Sequence, residues 1–164
     1  MSRLAALGIA LLLGVPAAFA DARTDCYEKR GEAAIRACTE AILRDPKDAV
    51  SYVNRAFEYL QKADYARAVS DYSRAIEIEP ERWDAFQGRA WAHLKMNKAA
   101  EGLLDAERSL ALKPGDARTL DIRGHILEAL GRREEAIADF RRALSIEPRM
   151  QGSRAGLRRL GAAP

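Results

Sequence analysis

The chain has 164 residues, which is enough for one domain with its own hydrophobic core. Its 27 basic and 24 acidic residues give a formal net charge of +3, a balance that offers no support for nucleic-acid binding. No segment after residue 20 is long and apolar enough to cross a bilayer, so we expect a mature protein without a membrane span.

Residues 1–20 have the layout of a secretory signal peptide. Arg3 precedes an uncharged, mostly apolar stretch, and Pro16 is followed by the small-residue ending Ala18-Phe19-Ala20. This pattern predicts cleavage after Ala20 and a periplasmic or secreted mature protein. The alternative is an uncleaved membrane anchor, because the uncharged stretch from Leu4 to Ala20 is at the short limit for a membrane span.

Proline then recurs at a fixed interval, which divides the rest of the chain. The four prolines are Pro46, Pro80, Pro114 and Pro148. A constant period of about 34 residues indicates stacked structural repeats. We expect a shorter first unit, three full units and a final capping helix with a basic tail, with these bounds: 21–46, 47–80, 81–114, 115–148 and 149–164.

Each full unit contains two stretches with apolar residues at spacings of three and four, as a helix face requires. Between them, Asn97 and Gly131 occupy the same place in the period and tolerate the backbone of a tight turn. Tyr72 and Phe140 are large residues at one position of the second helix. Ala106 holds that position in the middle unit, where we expect Trp83, Phe86 or Leu103 to compensate.

The pattern resembles the tetratricopeptide repeat family over roughly residues 25 to 148. The matching features are the proline period, the small residue in the first helix and the Ala…Phe/Tyr…Ala…Pro ending of each unit. The resemblance implies an all-α helix-turn-helix solenoid with three full repeats, a partial N-terminal repeat lacking most of its first helix, and a C-terminal capping helix. The sequence departs from the family where arginine replaces the leucine usual before that small residue.

Those arginines recur with the period, and each is followed by an aspartate at a constant interval. A charge at a half-buried helix position needs a partner, and the planar guanidinium suits a carboxylate. We therefore expect structural ion pairs, with a ligand-binding ladder of cations as the alternative. The residues concerned are Arg55 with Asp71, Arg89 with Asp105, and Arg123 with Asp139.

Both cysteines, Cys26 and Cys38, lie in the first unit. Their spacing does not suit the common metal motifs, and no Cys-x-x-Cys redox arrangement is present. Export and a helical hairpin that brings the two residues together favour a disulfide bond, which could substitute for missing helix packing. The alternative is a pair of reduced, buried thiols.

The family resemblance implies a concave groove lined by the first helices, and such surfaces bind extended partners. Carried over by position, the groove residues are Asn54, Phe57, Gln61, Gln87, Trp91, Lys95, Arg118, Asp121 and His125. We expect a scaffold whose groove holds a peptide or helix of a protein partner, and no nucleic acid. Of the positions at which some family members clamp a terminal carboxylate, only Arg118 suits that role here.

Other functions have weaker support. The arginines after residue 130 suggest an anionic partner as an alternative, and a retained anchor would make the chain a membrane-tethered assembly module. His125 and Asp121 are one helical turn apart and form the strongest candidate for a small-molecule or catalytic site. Because no nucleophile triad, phosphate loop or metal cluster is evident, we expect no enzyme activity, metal or cofactor.

Overall fold

The computed structural model describes residues 17–163, with side chains from Ala22 onward. Within that range the chain forms nine α-helices and no strands, which confirms the expected all-α repeat solenoid. The helices are α1 (Ala17–Glu28), α2 (Gly31–Arg44), α3 (Ala49–Gln61), α4 (Tyr65–Ile78), α5 (Trp83–Lys95), α6 (Ala99–Leu112), α7 (Ala117–Ala129), α8 (Arg133–Ile146) and α9 (Gln151–Arg159).

Local sequence sets where these helices begin and end. The carboxylates of Asp64 and Asp116 accept hydrogen bonds from the main-chain N–H groups of Arg67 and Thr119, which satisfies free donors at the starts of α4 and α7. The turns inside the middle and last full units contain Asn97 and Gly131 at φ values of 59° and 73°. Asparagine and glycine adopt this left-handed conformation at low cost, so the helices end there.

The helices stack in chain order, and each contacts the next. The first helices of neighbouring units also contact each other, so α1, α3, α5, α7 and α9 form one side of the stack, and the second helices form the other. The predicted signal peptide lies mostly outside the described residues. No helix in residues 17–163 is both long and apolar enough to cross a membrane.

The first unit differs from the expectation that most of its first helix is missing. Helix α1 has 12 residues, one fewer than α3, and it packs along α2. It begins at Ala17, before the predicted cleavage point, which the repeat pattern could not indicate because the apolar N-terminal residues mask the helical periodicity. Cleavage after Ala20 would remove the start of this helix, from Ala17 to Ala20.

Neighbouring units pack by matching a large residue on a second helix with a small one on the next first helix. A Cβ atom on Gly88 would lie 2.2 Å from Cζ of Tyr72, and one on Gly156 would lie 2.4 Å from Cζ of Phe140. Glycine is therefore required where each ring meets the helix backbone. In the middle unit the small residue is on the second helix and the large one on the next first helix. Ala106 of α6 packs there in one cluster with Ile122 of α7.

This reversed order adds a partner to the expectation that Trp83, Phe86 or Leu103 compensates for Ala106. Leu103 does pack against the cluster of Ala106 and Ile122, as expected. Trp83 instead lies at the start of α5 with the Lys113 ammonium 3.6 Å from its ring centroid, and Phe86 has Arg89 over its ring. The compensating volume thus comes from Leu103 and also from the following helix, since a second helix contacts the first helix of both its own and the next unit.

The three arginines and three aspartates meet as bidentate pairs within their units. Arg89 donates from Nε and Nη2 to the two carboxylate oxygens of Asp105 at 2.8 and 2.7 Å. Its third nitrogen, Nη1, donates to Ser73 Oγ of the preceding second helix at 2.9 Å. The Arg89 guanidinium consequently connects α4, α5 and α6. The equivalent pairs are Arg55 with Asp71 at 2.7 and 2.8 Å, and Arg123 with Asp139 at 2.6 and 2.8 Å.

Candidate protein-binding groove

A groove with a volume of about 450 Å³ lies on the side of the stack formed by the first helices. Three helices, α3, α5 and α7, supply most of its walls, and α4 supplies one residue. We call this site the groove; it is lined by Val53, Asn54, Phe57, Leu60, Gln61, Tyr72, Trp83, Asp84, Gln87, Gly88, Trp91, Arg118, Asp121 and Ile122.

The structure brings most of the residues predicted for this site into the groove. Lys95 and His125 are the two that lie beside its lining. The Lys95 ammonium sits 4.3 Å from the ring centroid of Trp91, at the end of α5. The lining includes Asn54, Phe57, Gln61, Gln87, Trp91, Arg118 and Asp121.

Tyr72 and Trp83 are groove residues that the sequence pattern did not assign there. Tyr72 belongs to a second helix, but its ring lies against Gly88 and reaches the groove because that position has no side chain. Burial raises the pKa of the Tyr72 hydroxyl, and the carboxylates of Asp84 and Asp71 raise it further. The hydroxyl therefore stays protonated. The sequence contains a signal for this contact in its spacing. Gly88 follows Tyr72 at the same interval that separates each repeated arginine from its aspartate.

Gln87 is more a structural link than an exposed binding residue. Its amide nitrogen donates to Asp116 Oδ2 at 2.5 Å and to Thr119 Oγ1 at 2.7 Å, and 9% of the residue is exposed. Ser109 continues this network from Thr119, at 3.2 Å, to the main-chain oxygen of Trp83. Buried polar groups need hydrogen-bond partners, and these groups find them on neighbouring helices. The network therefore joins α5, α6 and α7.

The carboxylates that line or border the groove are already engaged. Asp84 lies 3.2 Å from Arg82, and Asp121 accepts a 2.6 Å hydrogen bond from Ser153 of α9. Glu128 receives two hydrogen bonds from the Arg159 guanidinium, at 2.9 and 2.6 Å. Those bonds, opposed in part by burial, lower the pKa of Glu128. Arg118, by contrast, is exposed and has no ionic or hydrogen-bonding partner among the described residues.

His125 is part of a packed cluster at the α7–α9 end of the groove. Its ring meets Phe140 edge-on at 4.9 Å between centroids and lies 6.4 Å from the ring of Trp91. Nδ1 is 3.1 Å from Arg159 Nη2, and Nε2 is 3.8 Å from Asp121 Oδ1. The predicted proximity of His125 and Asp121 is present, but each has other contacts that hold it in place.

His93 of α5 lies outside the groove lining, at the repeat position that Leu127 occupies on α7. Its Nδ1 is buried with no hydrogen-bond partner among the described residues, and Nε2 lies 3.8 Å from Asp105. Burial lowers the pKa of His93 despite that carboxylate. Within residues 17–163, no group of three or more histidine, cysteine or acidic side chains is arranged to hold a metal ion.

Cys26 of α1 and Cys38 of α2 face each other in a small buried cluster. Their Cα atoms are 4.5 Å apart and their sulfur atoms 2.06 Å apart. Both residues are at most 2% exposed. This cluster lies next to the α1 end of the groove, because Asn54 Nδ2 is 3.9 Å from Cys26 Sγ.

The C-terminal arginines mostly bind groups of the same chain. Arg132 pairs with both carboxylate oxygens of Glu135 at 2.7 Å. Four others donate to main-chain carbonyl groups in the segments that follow α6, α8 and α9. These four are Arg133 to Leu160, Arg141 to Ala163, Arg142 to Pro114, and Arg154 to Pro148.

Sequence comparison identifies two of the units. The tetratricopeptide repeat pattern matches residues 49–82 and residues 117–150. The chain is also 38% identical over 52 residues to a DnaJ homolog subfamily C member 3 homolog from Dictyostelium discoideum. That match covers 32% of this chain but 10% of the relative, so it concerns a short segment of a much longer protein.

Solved structures with the same fold include peptide complexes. The first TPR domain of Spaghetti (RPAP3), bound to the HSP90 peptide SRMEEVD, is 25% identical with a TM-score of 0.67, covering 71% of this chain and 93% of that one. The second TPR domain of human RPAP3, in complex with the HSP70 peptide SGPTIEEVD, is 26% identical with a TM-score of 0.65, covering 70% and 96%.

A longer structural match shows the fold alone. MamA from Desulfovibrio magneticus RS-1 has a TM-score of 0.76 at 19% identity, covering 88% of this chain and 81% of that one. The repeat matches, the stacked helix pairs and these structural neighbours agree with the proline period of the sequence. The chain therefore belongs to the tetratricopeptide repeat family.

Proposed function

We propose that this chain is a periplasmic or secreted scaffold that binds a segment of another protein in the groove. The observation that carries the proposal is the groove itself, with Phe57 41% exposed at one edge and Trp91 in its wall. Aromatic side chains in a concave surface are common anchors for a bound peptide or helix. The two neighbours solved with peptides support a protein ligand.

A capture experiment with matched variants tests groove binding. Mature protein, residues 21–164, is immobilised and exposed to an extract of the cell envelope, and captured proteins are quantified by mass spectrometry. Phe57→Ser and Trp91→Ala should each reduce capture of the specific partner at least tenfold, as anchors do. The control is Leu104→Ser, which removes a 68% exposed apolar side chain from α6, outside the groove. Equal capture by all four proteins would refute binding in the groove.

Export rests on the N-terminal sequence pattern and needs its own test. The expected mature N-terminus is Asp21, after cleavage at the small-residue site. N-terminal sequencing of protein purified from the envelope fraction measures it. An intact N-terminus and recovery with membranes would favour the alternative of a tethered assembly module with an uncleaved anchor.

The alternative of an anionic partner rests on fewer residues than the sequence suggested. Arg149 and Arg158 are exposed arginines near α9 without an ionic partner among the described residues. Substituting both with glutamine would leave the core contacts of α9, such as buried Leu157, intact. If capture of the partner depends on these two arginines and not on Phe57, the alternative is favoured over the groove.

We further propose that Cys26 and Cys38 form a disulfide bond in the exported protein. Their approach in a buried cluster supports this assignment, and an oxidising compartment would maintain the bond. Intact mass measured without reduction, with and without alkylation, distinguishes the two states. Alkylation of both cysteines in unfolded, unreduced protein would indicate reduced thiols.

A further inference from the structure

We propose that the groove selects internal protein segments in which apolar side chains are flanked by carboxylates, and that Arg118 and Lys95 bind those carboxylates. This inference rests on the proposed function and specifies the chemistry of the partner. It concerns side-chain carboxylates of a continuous segment rather than a chain terminus, for which only Arg118 has a suitable position.

The first argument is the balance of charge on this side of the stack. Asp84, Asp121 and Glu128 are each engaged by groups of the same chain, at distances between 2.6 and 3.2 Å. Arg118 and Lys95 have no acidic partner among the described residues. Of the charged side chains that line or border the groove, the two without an acidic or basic partner are therefore both positive, and a bound segment that carries carboxylates would complement them.

The second argument is where the two cations lie. Arg118 is in the first turn of α7, and Lys95 is the last residue of α5. Asp84 occupies on α5 the repeat position that Arg118 occupies on α7, so it marks the level of Arg118 along the helices. Lys95 lies about three helical turns after Asp84. At about 1.5 Å per residue, the cations are separated by roughly 16 Å along the helices, which about five residues of extended chain span.

The third argument is what lies between them. The central lining is apolar or aromatic and includes Tyr72, Trp91 and Ile122, with Gly88 leaving space beside the Tyr72 ring. Apolar side chains of a partner would gain most by burial there, whereas a carboxylate in the centre would lose its hydration. Apolar residues in the middle and acidic residues at the ends therefore fit this surface best.

The alternatives have less support. The Lys95 ammonium lies over the Trp91 ring, so a cationic segment would meet repulsion at one of the main aromatic surfaces. At the other rim, the exposed Arg118 guanidinium would repel it as well. A wholly apolar segment would leave both cations without a counter-charge. The positions of the two cations therefore favour an acidic partner over a basic or neutral one.

Selection from random dodecapeptides displayed on phage tests the inference without a known partner. Each peptide is held between fixed carrier segments, so no free terminus is available. Mature protein, residues 21–164, should enrich peptides with apolar residues between aspartate or glutamate. Enriched peptides rich in lysine or arginine, enriched peptides without acidic residues, or no enrichment at all would overturn the proposal.

A synthetic version of the strongest binder, blocked at both ends, then tests the two cations. Arg118→Gln and Lys95→Gln should each weaken binding about fivefold in fluorescence anisotropy at low salt, and added salt should reduce that difference. Arg108→Gln is the matched control, because it removes an exposed arginine of α6, outside the groove, and should leave the Kd unchanged.

The outcomes separate this inference from the proposed function. If Phe57→Ser abolishes binding while both glutamine variants bind normally, the groove binds peptides but the charge selection is wrong. If neither Phe57→Ser nor the glutamine variants change the Kd, the peptide binds elsewhere, and both the inference and the proposed groove function fail.

Discussion

Replacing Asp105 with alanine should destabilise the fold, because it leaves the guanidinium of Arg89 without its carboxylate in a largely buried position. Asp105 is 6% exposed, and the Arg89 side chain is 21% exposed. Removing one partner of a buried pair typically costs about 3–5 kcal/mol. Arg89 keeps some contact with water and its hydrogen bond to Ser73, so we expect the lower value of about 2–3 kcal/mol.

That loss corresponds to a fall in Tm of roughly 6–10 °C for a domain of this size. Glu135→Ala provides the matched control, because Glu135 forms the same bidentate geometry with Arg132 at 2.7 Å. In that pair the side chains are 42% and 58% exposed, so its removal should leave the unfolding midpoint almost unchanged. The comparison separates burial from the pairing geometry itself.

Urea unfolding followed by circular dichroism and tryptophan fluorescence measures both variants. Trp83 and Trp91 lie on α5, the same helix as Arg89, so fluorescence reports the unit in which the pair is broken. A variant with leucine at both Arg89 and Asp105 should recover most of the lost stability, since no uncompensated charge remains. The reasoning is refuted if Asp105→Ala and Glu135→Ala have the same unfolding midpoint.

Three further predictions concern other contacts. Gly156→Ala should destabilise the protein by about 1–3 kcal/mol, because its Cβ would meet the Phe140 ring, whereas Gly115→Ala, with no atom nearby, should be neutral in the same urea assay. His93 has a lowered pKa in the folded state, so the unfolded state binds its proton more readily, and stability should fall as pH drops below about 6.5. His93→Leu should lose that part of the pH dependence, and unfolding midpoints at about pH 7 and about pH 5.5 would show whether it does. If the cysteines are oxidised, a reductant should lower the stability of the wild type by about 3 kcal/mol but not that of the variant with serine at Cys26 and Cys38, so a wild type unaffected by reductant would contradict the assignment.

Several features of the fold could be predicted because they repeat. The proline period places equivalent residues at equivalent positions, so chemical complementarity recurs at fixed spacing. The interval that separates Arg55 from Asp71 also separates Tyr72 from Gly88. Such an interval connects facing positions on consecutive antiparallel helices, so charge pairing and volume matching both appear in the sequence.

The middle unit carries a packing signal of the same kind in its residue sizes. Leu103 compensates for the small Ala106 as expected, and Ile122, which follows Ala106 at that same interval, adds volume from the next unit. At the junction of α6 and α7 the small residue comes first and the large one second, the reverse of Tyr72 and Gly88. A comparison of residue sizes at that spacing would have identified the match, whereas a comparison of equivalent positions alone could not.

The amino-acid sequence by itself determined the repeat architecture, because helix periodicity, turn residues and the proline interval are local signals that recur. Only the tertiary structure decided which groove residues are available to a partner. Gln87, Asp121 and His125 have polar or charged character suited to binding, yet contacts with residues of the next unit or of α9 hold them in place. Arg118 stays free because no acidic side chain of the described residues folds against it. That difference depends on which side chains meet across the stack, and residue type alone does not specify it.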